Sequence, residues 1–230
     1  ISGVVSETSK SSSFKKGQKV SIFPLLPCFE CQSCKNKIFQ SCKNYDYYGS
    51  RRNGGYSEFL NVKEWNLIKI PKKVSLKDAA LLEPLSVVYH ALNKISISNI
   101  TDLTIFGSGF LGLLTCNLAK LINKNVQINL IDRNKFKLNK AKKLVENTIV
   151  NYDEKVLIDN LKKQNINNII ETTGDPKIFE KTIEIASPGC KIIWLGNIKN
   201  KLSIKKQNVS QILKKELIIK GSWNSSFTKS

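Results

Sequence analysis

Residues 103–112 read Leu-Thr-Ile-Phe-Gly-Ser-Gly-Phe-Leu-Gly, an apolar strand followed by a glycine-rich turn and the start of a helix. In this setting the first glycine permits a tight turn, the second lets the backbone approach a diphosphate, and the third lets the helix pack close to the strand. The free N–H groups at the start of the helix then face the phosphates. The stretch therefore predicts a dinucleotide-binding loop, whose residues are Gly107, Gly109, Phe110, Leu111 and Gly112.

On both sides of this turn, apolar strand patterns alternate with helical patterns. Strands are predicted at Leu103–Phe106, Val126–Ile131, Ile169–Thr172 and Lys191–Leu195, and helices at Phe110–Ile122, Lys135–Val145, Val156–Lys163 and Pro176–Ala186. Such a β-α-β series is typical of an α/β fold with a doubly wound parallel sheet that helices cover on both faces.

An acidic residue at the end of the second strand predicts which coenzyme is bound. Asp132 lies 20 residues beyond Gly112, where a carboxylate accepts hydrogen bonds from adenosine ribose hydroxyls and repels a 2′-phosphate. This favours NAD over NADP, although the neighbouring Arg133 weakens the preference. Lys137 is either a coenzyme contact or a solvated helix lysine. Further contacts near the nicotinamide are predicted where later strands end, at Thr173, Gly174, Leu195 and Gly196.

The first 70 residues show a different pattern, of short β-strands separated by glycine and proline. Strands are predicted at Ser2–Glu7, Lys19–Phe23, Tyr56–Val62 and Leu67–Ile70. Ser75 with Asp78 predicts a helix start that Pro84 interrupts, and the helix then resumes to Lys94. We therefore expect two domains, residues 1–95 and residues 96–230.

Four cysteines within fifteen residues predict a metal site. Their spacing is Cys28-x2-Cys31-x2-Cys34-x7-Cys42, inside a lobe at residues 24–48. Four thiolates suit tetrahedral zinc and leave no position for water or substrate, so the site is expected to be structural. An iron–sulfur cluster or incidental cysteines are the alternatives. Reduced cysteines with metal-ligand spacing favour the cytoplasm over a secreted, disulfide-bonded protein.

Composition sets limits on the partners. The chain has 230 residues and a net charge of +19, which raises the alternative of a nucleic-acid-binding zinc protein. Only three of the 37 basic residues are arginine (Arg51, Arg52 and Arg133), and the lysines are spread along the chain. We therefore expect a solvated lysine-rich surface and no nucleic-acid partner. No run of eighteen apolar residues predicts a membrane span, and no signal peptide is visible.

Taken with these motifs, four segments resemble the zinc-containing medium-chain dehydrogenase/reductase family of alcohol and polyol dehydrogenases. Residues 24–34 resemble its structural-zinc lobe, and residues 82–87 (Leu-Glu-Pro-Leu-Ser-Val) its Glu-Pro segment. Residues 45–56 and 217–224 are similar to the branch of the galactitol-1-phosphate 5-dehydrogenases. The resemblance covers essentially the whole chain.

This resemblance implies a GroES-like β domain joined to a Rossmann domain, and hydride transfer from a secondary alcohol to NAD. In the family a catalytic zinc is held by a Cys, a His and an acid, and Glu83 matches the acid; a structural glutamate is the alternative. Ile1–Val5 matches the residues just after the family's Gly-His-Glu, so we expect a fragment that lacks the Cys and His, and a C-terminal segment. His90, the only histidine, is not expected to replace them. The complete protein is expected to form a homodimer or homotetramer.

The substrate prediction depends on two adjacent arginines. A guanidinium binds phosphate by a fork that lysine cannot match, so Arg51 or Arg52 is a candidate contact for a polyol phosphate of the galactitol 1-phosphate type. A purely structural salt bridge is an equal alternative. The competing enzyme class is a sorbitol- or threonine-type dehydrogenase that acts on an unphosphorylated substrate.

Overall fold

The computed structural model describes residues 1–150, 161, 164–198 and 200–226. The chain forms two compact units, Ile1–Val87 together with residues from Trp223 onward, and Val88–Ser222. The predicted domain boundary near residue 95 stays a prediction.

The first unit contains a three-stranded antiparallel sheet in the order β1-β2-β5. Its strands are β1 (Ser2–Val4), β2 (Lys19–Ile22) and β5 (Leu67–Lys69). Two shorter strands, β3 (Leu25–Leu26) and β4 (Asp46–Tyr47), pair antiparallel at the base of the cysteine lobe. Between β3 and β4 lie the helix α1 (Gln32–Lys35) and a 3-10 turn at Phe39–Ser41.

The strand predicted at Tyr56–Val62 is wrong, because the described backbone there is irregular. The Ser57 hydroxyl donates to the carbonyl oxygens of Gly54 and Phe59, at 3.1 and 2.8 Å. Such local bonds compete with strand pairing. Tyr56 and Phe59 are exposed, and only Leu60 and Val62, at the end of the segment, pack against the cluster of Ile22, Leu26 and Tyr48.

The predicted helix start at Ser75 is confirmed. The Ser75 side chain accepts a hydrogen bond from the Asp78 N–H at 3.0 Å and caps α2 (Leu76–Ala79). The predicted interruption at Pro84 is wrong: the helical backbone breaks at Ala80 and Leu81, and α3 (Leu82–Lys94) contains Pro84 in its first turn. A proline is tolerated there because first-turn N–H groups have no partner within the helix.

The second unit is built on six parallel strands in the order β11-β10-β9-β6-β7-β8. Their bounds are β6 (Asp102–Phe106), β7 (Gln127–Asp132), β8 (Asn147–Val150), β9 (Asn168–Glu171), β10 (Lys191–Trp194) and β11 (Ile218–Gly221). The described helices are α4 (Phe110–Ile122), α5 (Lys135–Ala141), α6 (Pro176–Ile185) and α7 (Lys206–Lys214).

These elements confirm the predicted α/β class. The central strands are apolar and buried: all four residues of β9 are buried, as are the last four of β6. From β6 the chain moves to β7 and β8 on one side, and from β9 to β10 and β11 on the other. Because crossovers between parallel strands are right-handed, the connecting helices cover opposite faces. The reversal between β6 and β9 is the switch point at which such sheets bind ligands.

One predicted helix is too long, and three observed elements were not predicted. The helix predicted at Lys135–Val145 ends at Ala141, and a turn follows in which the Leu144 N–H donates to the Ala141 carbonyl at 2.8 Å. The short edge strands β8 and β11 and the helix α7 were not predicted. Of the helix predicted at Val156–Lys163, only Leu161 lies within the described residues.

Candidate functional site

A cavity of about 620 Å³ opens at the carboxyl ends of β6, β7 and β9, within the size range of small-molecule and cofactor sites. It is lined by apolar residues, glycines, two acids and four cations: Phe106, Gly107, Gly109, Phe110, Leu111, Ile131, Asp132, Arg133, Lys137, Thr172, Thr173, Asp175, Lys177, Ile178 and Lys181.

Two of the three glycines in the turn are required by protein contacts alone. Gly107 has a φ of +100°, and a Cβ there would lie 2.5 Å from the hydroxyl oxygen of Thr172. A Cβ on Gly112 would lie 1.8 Å from the carbonyl oxygen of Gly107, so only glycine lets α4 begin this close to β6. A Cβ on Gly109 would meet no protein atom within 4 Å. Gly109 lines the cavity, so its missing side chain leaves space on the ligand side.

Asp132 ends β7 and is held by the glycine turn itself. Its Oδ2 accepts from the Ser108 N–H at 2.6 Å and from the Ser108 hydroxyl at 2.8 Å. Its Oδ1 accepts from the Asn134 N–H at 2.8 Å. Burial acts to raise the pKa of Asp132, but these hydrogen bonds outweigh it and the pKa is lowered. A carboxylate therefore stands at the cavity wall. Ser108, which the sequence reasoning missed, fixes its orientation.

The cationic lining comes from two helices and from the turn between β7 and α5, which contains Arg133. Arg133 and Lys137 were predicted and line the cavity, as do Lys177 and Lys181, which were not. Asn134 begins α5 by accepting the Lys137 N–H at 3.1 Å, and Asp175 begins α6 by accepting the Lys177 N–H at 2.9 Å. These caps place both helix starts beside the glycine turn. Four cations against two acids suit a ligand that carries phosphates.

The remaining predicted coenzyme residues lie in two strand-end turns. Thr173 lines the cavity. Within the described part of the chain, the cavity lining does not include Gly112, Gly174, Leu195 or Gly196. The N–H groups of Leu195 and Gly196 both donate to the carbonyl oxygen of Glu171, at 2.9 Å. Direct coenzyme contacts from these four residues stay predictions.

The four predicted cysteines converge. Their sulfur atoms all lie within 4.8 Å of one another, and four of the pairs are separated by 3.5, 3.6, 3.9 and 3.9 Å. A tetrahedral zinc with Zn–S bonds of about 2.3 Å would set the sulfur atoms about 3.8 Å apart. The six cysteines are unpaired, so no disulfide competes for these thiols. The cluster therefore fits a four-thiolate metal site.

Backbone amides prepare part of this cluster for a cation. Hydrogen bonds from the Cys31 and Glu30 backbone lower the pKa of Cys28. Those from Cys34 and Lys43 lower the pKa of Cys31 to about 6. Burial, together with the neighbouring thiols, raises the pKa of Cys34 to about 12. A bound cation would favour the thiolate at all four positions.

Aromatic rings support the lobe from outside the metal cluster. Trp65 makes edge-on contacts with Phe29 and Phe39, at centroid distances of 5.1 and 5.5 Å, and Phe29 meets Phe39 at 5.8 Å. Phe29 also has a φ of +63°, which is unusual for a residue with a Cβ. This packing joins the lobe to the segment that leads into β5.

Glu83 lies in the first turn of α3 and accepts a hydrogen bond from the Tyr47 hydroxyl at 3.2 Å. Burial raises the pKa of its carboxyl group. His90 is half-buried further along the same helix, and burial lowers its pKa. Among the described residues, the four cysteines are the one cluster of three or more metal-ligating side chains. The residues around Glu83 do not by themselves fit a second metal ion.

The two arginines lie in different environments. The Arg52 Nε donates to Asp46 Oδ2 at 2.6 Å in a partly exposed ion pair. Arg51 stacks on the Tyr45 ring at 3.8 Å and donates to the Tyr45 carbonyl at 2.7 Å. The structural alternative therefore describes Arg52 better than Arg51, whose charge has no carboxylate partner in these contacts.

Comparison with known proteins places this geometry in a family. The zinc-binding dehydrogenase profile matches residues 111–230, and the alcohol dehydrogenase GroES-like domain profile matches residues 1–72. The chain belongs to the zinc-binding dehydrogenase family. The predicted Rossmann-type fold with a GroES-like N-terminal part is confirmed, and the thiolate cluster of this zinc-binding dehydrogenase agrees with zinc as its metal.

Individual relatives of this zinc-binding dehydrogenase are polyol and sugar enzymes by name. Galactitol 1-phosphate 5-dehydrogenase of Escherichia coli strain K12 is 32% identical over 211 residues, which cover 90% of this chain and 61% of that protein. A probable D-xylulose reductase A of Aspergillus fumigatus is 27% identical, with 96% and 64% covered. The crystal structure of Escherichia coli galactitol-1-phosphate dehydrogenase superposes with a TM-score of 0.90 at 30% identity, over 97% and 66% of the two chains. The chain thus spans about three fifths of the length of these curated relatives.

Proposed function

We propose that this zinc-binding dehydrogenase binds NAD(H) in the cavity at the switch point. We further propose that the whole protein transfers a hydride from a secondary alcohol of a polyol phosphate to NAD. The observation that carries the proposal is the junction of the glycine turn with Asp132, because one wall offers backbone amides for a diphosphate and a carboxylate for ribose hydroxyls.

The chain's own residues bind and orient the coenzyme. The first N–H groups of α4, at Phe110 and Leu111, and the backbone of Gly109 would hold the diphosphate. Oδ1 of Asp132 accepts a hydrogen bond from the Asn134 N–H, and its second lone pair keeps capacity for a ribose hydroxyl. Arg133 and Lys137 would add positive charge near the phosphates. When bound, NAD supplies the hydride acceptor.

The zinc in Cys28, Cys31, Cys34 and Cys42 would be structural. Four protein ligands complete a tetrahedron, so the ion has no open position for substrate or water. Its contribution would be to the folding of the lobe, since between residues 28 and 45 the buried side chains are two of the ligands themselves, Cys34 and Cys42. A role for Glu83 at a second, catalytic zinc is carried only by the family resemblance, and no reaction step is derived from it.

The surroundings of Arg51 favour the proposal of a phosphorylated substrate. Arg51 is exposed, and its guanidinium carbon lies 3.8 Å from the centre of the Tyr45 ring, so its remaining N–H donors are available for phosphate oxygens. The relative at 32% identity is named for galactitol 1-phosphate. We therefore propose a polyol phosphate of the galactitol 1-phosphate to tagatose 6-phosphate type as the substrate class.

One observation favours a second candidate, an unphosphorylated polyol. Arg52 forms an ion pair with Asp46, which competes with a phosphate for its guanidinium. A relative at 27% identity is named as a D-xylulose reductase. A fork formed by both arginines would first have to break that ion pair. If neither arginine binds phosphate, the sorbitol-type alternative becomes the better description.

The experiment has two parts. NADH is titrated into the purified zinc-loaded chain by calorimetry, where saturable one-to-one binding is expected and the absence of heat would end the coenzyme proposal. Turnover of galactitol 1-phosphate and of galactitol is then measured with the product of the open reading frame that contains this chain. Arg51→Ala should lose activity only on the phosphate ester, and Arg52→Ala serves as the matched control. Equal losses on both substrates would favour the unphosphorylated class.

Other expectations stay predictions: the homodimer or homotetramer, the cytoplasmic location, and the absence of a nucleic-acid partner. In the described part of the chain, the longest helices have 13 residues, and none is both long and apolar enough to cross a membrane. Retention on DNA that fades with salt and shows no sequence preference would indicate only nonspecific lysine contacts.

A further inference from the structure

The turn after β9 is anchored on a carboxylate that solvent does not reach. Glu171, the last residue of β9, has a relative exposure of 0%. Its Oε1 accepts from the Thr173 N–H at 2.5 Å and also from the Thr173 hydroxyl. The Gly174 N–H lies 3.1 and 3.2 Å from its two oxygens. Burying a carboxylate is costly unless it is hydrogen-bonded, and all of these donors come from the three residues that follow it.

The same residue joins a second strand-end turn. The carbonyl oxygen of Glu171 accepts from the N–H groups of Leu195 and Gly196, both at 2.9 Å. A Cβ on Gly196 would lie 2.2 Å from the backbone nitrogen of Gly174 and 2.6 Å from Glu171 Oε2, so glycine lets this turn lie against both the 172–174 turn and the carboxylate. The carboxylate therefore sits between the turns that follow β9 and β10.

The anchored turn forms one wall of the cavity. The Thr172 hydroxyl donates to the Phe106 carbonyl at 2.8 Å, beside the glycine turn. A Cβ on Gly107 would lie 2.5 Å from that hydroxyl oxygen, so the two turns are in close contact. Thr172 and Thr173 line the cavity, whereas Glu171 lies behind them.

We propose that Glu171 is a positioning residue for the coenzyme: its carboxylate fixes the 172–174 turn, so that Thr172 and Thr173 keep the cavity wall in register with the glycine turn. The proposal rests on the proposed function, because the ligand is the coenzyme. A carboxylate suits the role because it only accepts hydrogen bonds, and its neighbours are all donors. A glutamine would present its NH2 group to one of them.

The test compares Glu171→Gln with Ile170→Val. Ile170 is the preceding residue of β9 and fully buried, so its truncation loosens the same strand without touching the turn. Because a hydrogen bond to a charged group is lost, NADH affinity measured by calorimetry is expected to fall about tenfold or more in Glu171→Gln. Ile170→Val should bind NADH within about twofold of the unmodified chain at a comparable loss of thermal stability, since it removes no hydrogen bond.

A local signature separates positioning from general destabilisation. In Glu171→Gln the amide hydrogens of Thr173 and Gly174 should exchange with solvent faster, while that of Ile105 in β6 keeps its protection. Equal NADH affinity in Glu171→Gln and the unmodified chain would overturn the proposal, as would an equal loss in Ile170→Val.

Two further outcomes, no NADH binding by the unmodified chain and no folding of Glu171→Gln, have different consequences. If the unmodified chain binds no NADH, the coenzyme proposal fails, and the exchange comparison still shows whether Glu171 anchors the turn. If Glu171→Gln does not fold, amide hydrogen exchange in the unmodified chain tests whether Glu171 anchors the turn. Thr173 and Gly174 amides as fast as exposed loop amides would refute the anchoring role, and protection equal to that of β6 would support it.

Discussion

Replacing Asp132 with serine should change coenzyme selectivity more than it changes the fold. The substitution removes the acceptor of three hydrogen bonds, from Ser108 N–H, the Ser108 hydroxyl and the Asn134 N–H, at 2.6, 2.8 and 2.8 Å. Loss of these bonds loosens the glycine turn for NAD and NADP alike. It also removes a half-buried negative charge from the cavity wall, and that change affects the two coenzymes differently.

The size of the selectivity change follows from the lost charge. Two unit charges 4 Å apart interact by about 1 kcal/mol in water and by about 4 kcal/mol near a protein surface. Asp132 is half-buried at an open cavity, so relief of its repulsion of a 2′-phosphate should be worth about 2 kcal/mol. The NADP-to-NAD preference should therefore rise about 30-fold. Because the pKa of Asp132 is lowered, the carboxylate is charged at neutral pH and the full effect is present there.

The assay is calorimetric titration of NADH and NADPH into Asp132→Ser, with Asp102→Ser as the control. Asp102 begins β6, and its carboxylate also accepts from a backbone amide, that of Asn167 at 3.0 Å. It does not line the cavity among the described residues. The control should lose stability without a selectivity change. Parallel losses for both coenzymes in Asp132→Ser, or the same shift in Asp102→Ser, would refute the ribose role.

Four other substitutions have definite expected results. Gly112→Ala should unfold the second unit at lower temperature, because its Cβ would lie 1.8 Å from a backbone oxygen, whereas Gly109→Ala should keep its melting temperature and lose NADH affinity. Lys120 and hydrogen bonds lower the pKa of Glu146 against the effect of burial. The stability advantage over Glu146→Gln, followed by urea unfolding, should therefore be present above about pH 4.5 and shrink below it. Cys34→Ser should lower bound zinc, measured by atomic absorption, below one per chain.

Much of the coenzyme site could be predicted because its signal is local. The glycine spacing predicts backbone requirements that the structure shows as close contacts at Gly107 and Gly112, and as open space on the cavity side at Gly109. The cysteine spacing likewise determined which side chains converge, since a short chain between ligands limits where they can go. By contrast, Tyr56–Val62 was predicted to be a strand, but the pattern could not show that no strand of the described residues pairs with it.

Residues whose role depends on long-range contacts were missed. Lys177 and Lys181 read as ordinary helix lysines, and only the order of β9 beside β6 brings their helix to the glycine turn. The glycine pattern predicts no role for Ser108, although its N–H donates a hydrogen bond to Asp132, 24 residues further along the chain. Glu171 gave a weak signal: a charged residue ending an otherwise apolar strand is unusual for a buried position.

The amino-acid sequence by itself determined the class of fold, the four thiolate ligands and the glycine turn, because each depends on spacing within a short segment. Tertiary structure alone decided which charges meet at the cavity, that Arg52 is paired with Asp46, and that a buried carboxylate stands behind the cavity wall. The physical reason is that electrostatic environment and burial are set by residues distant in the chain, which sheet order brings together.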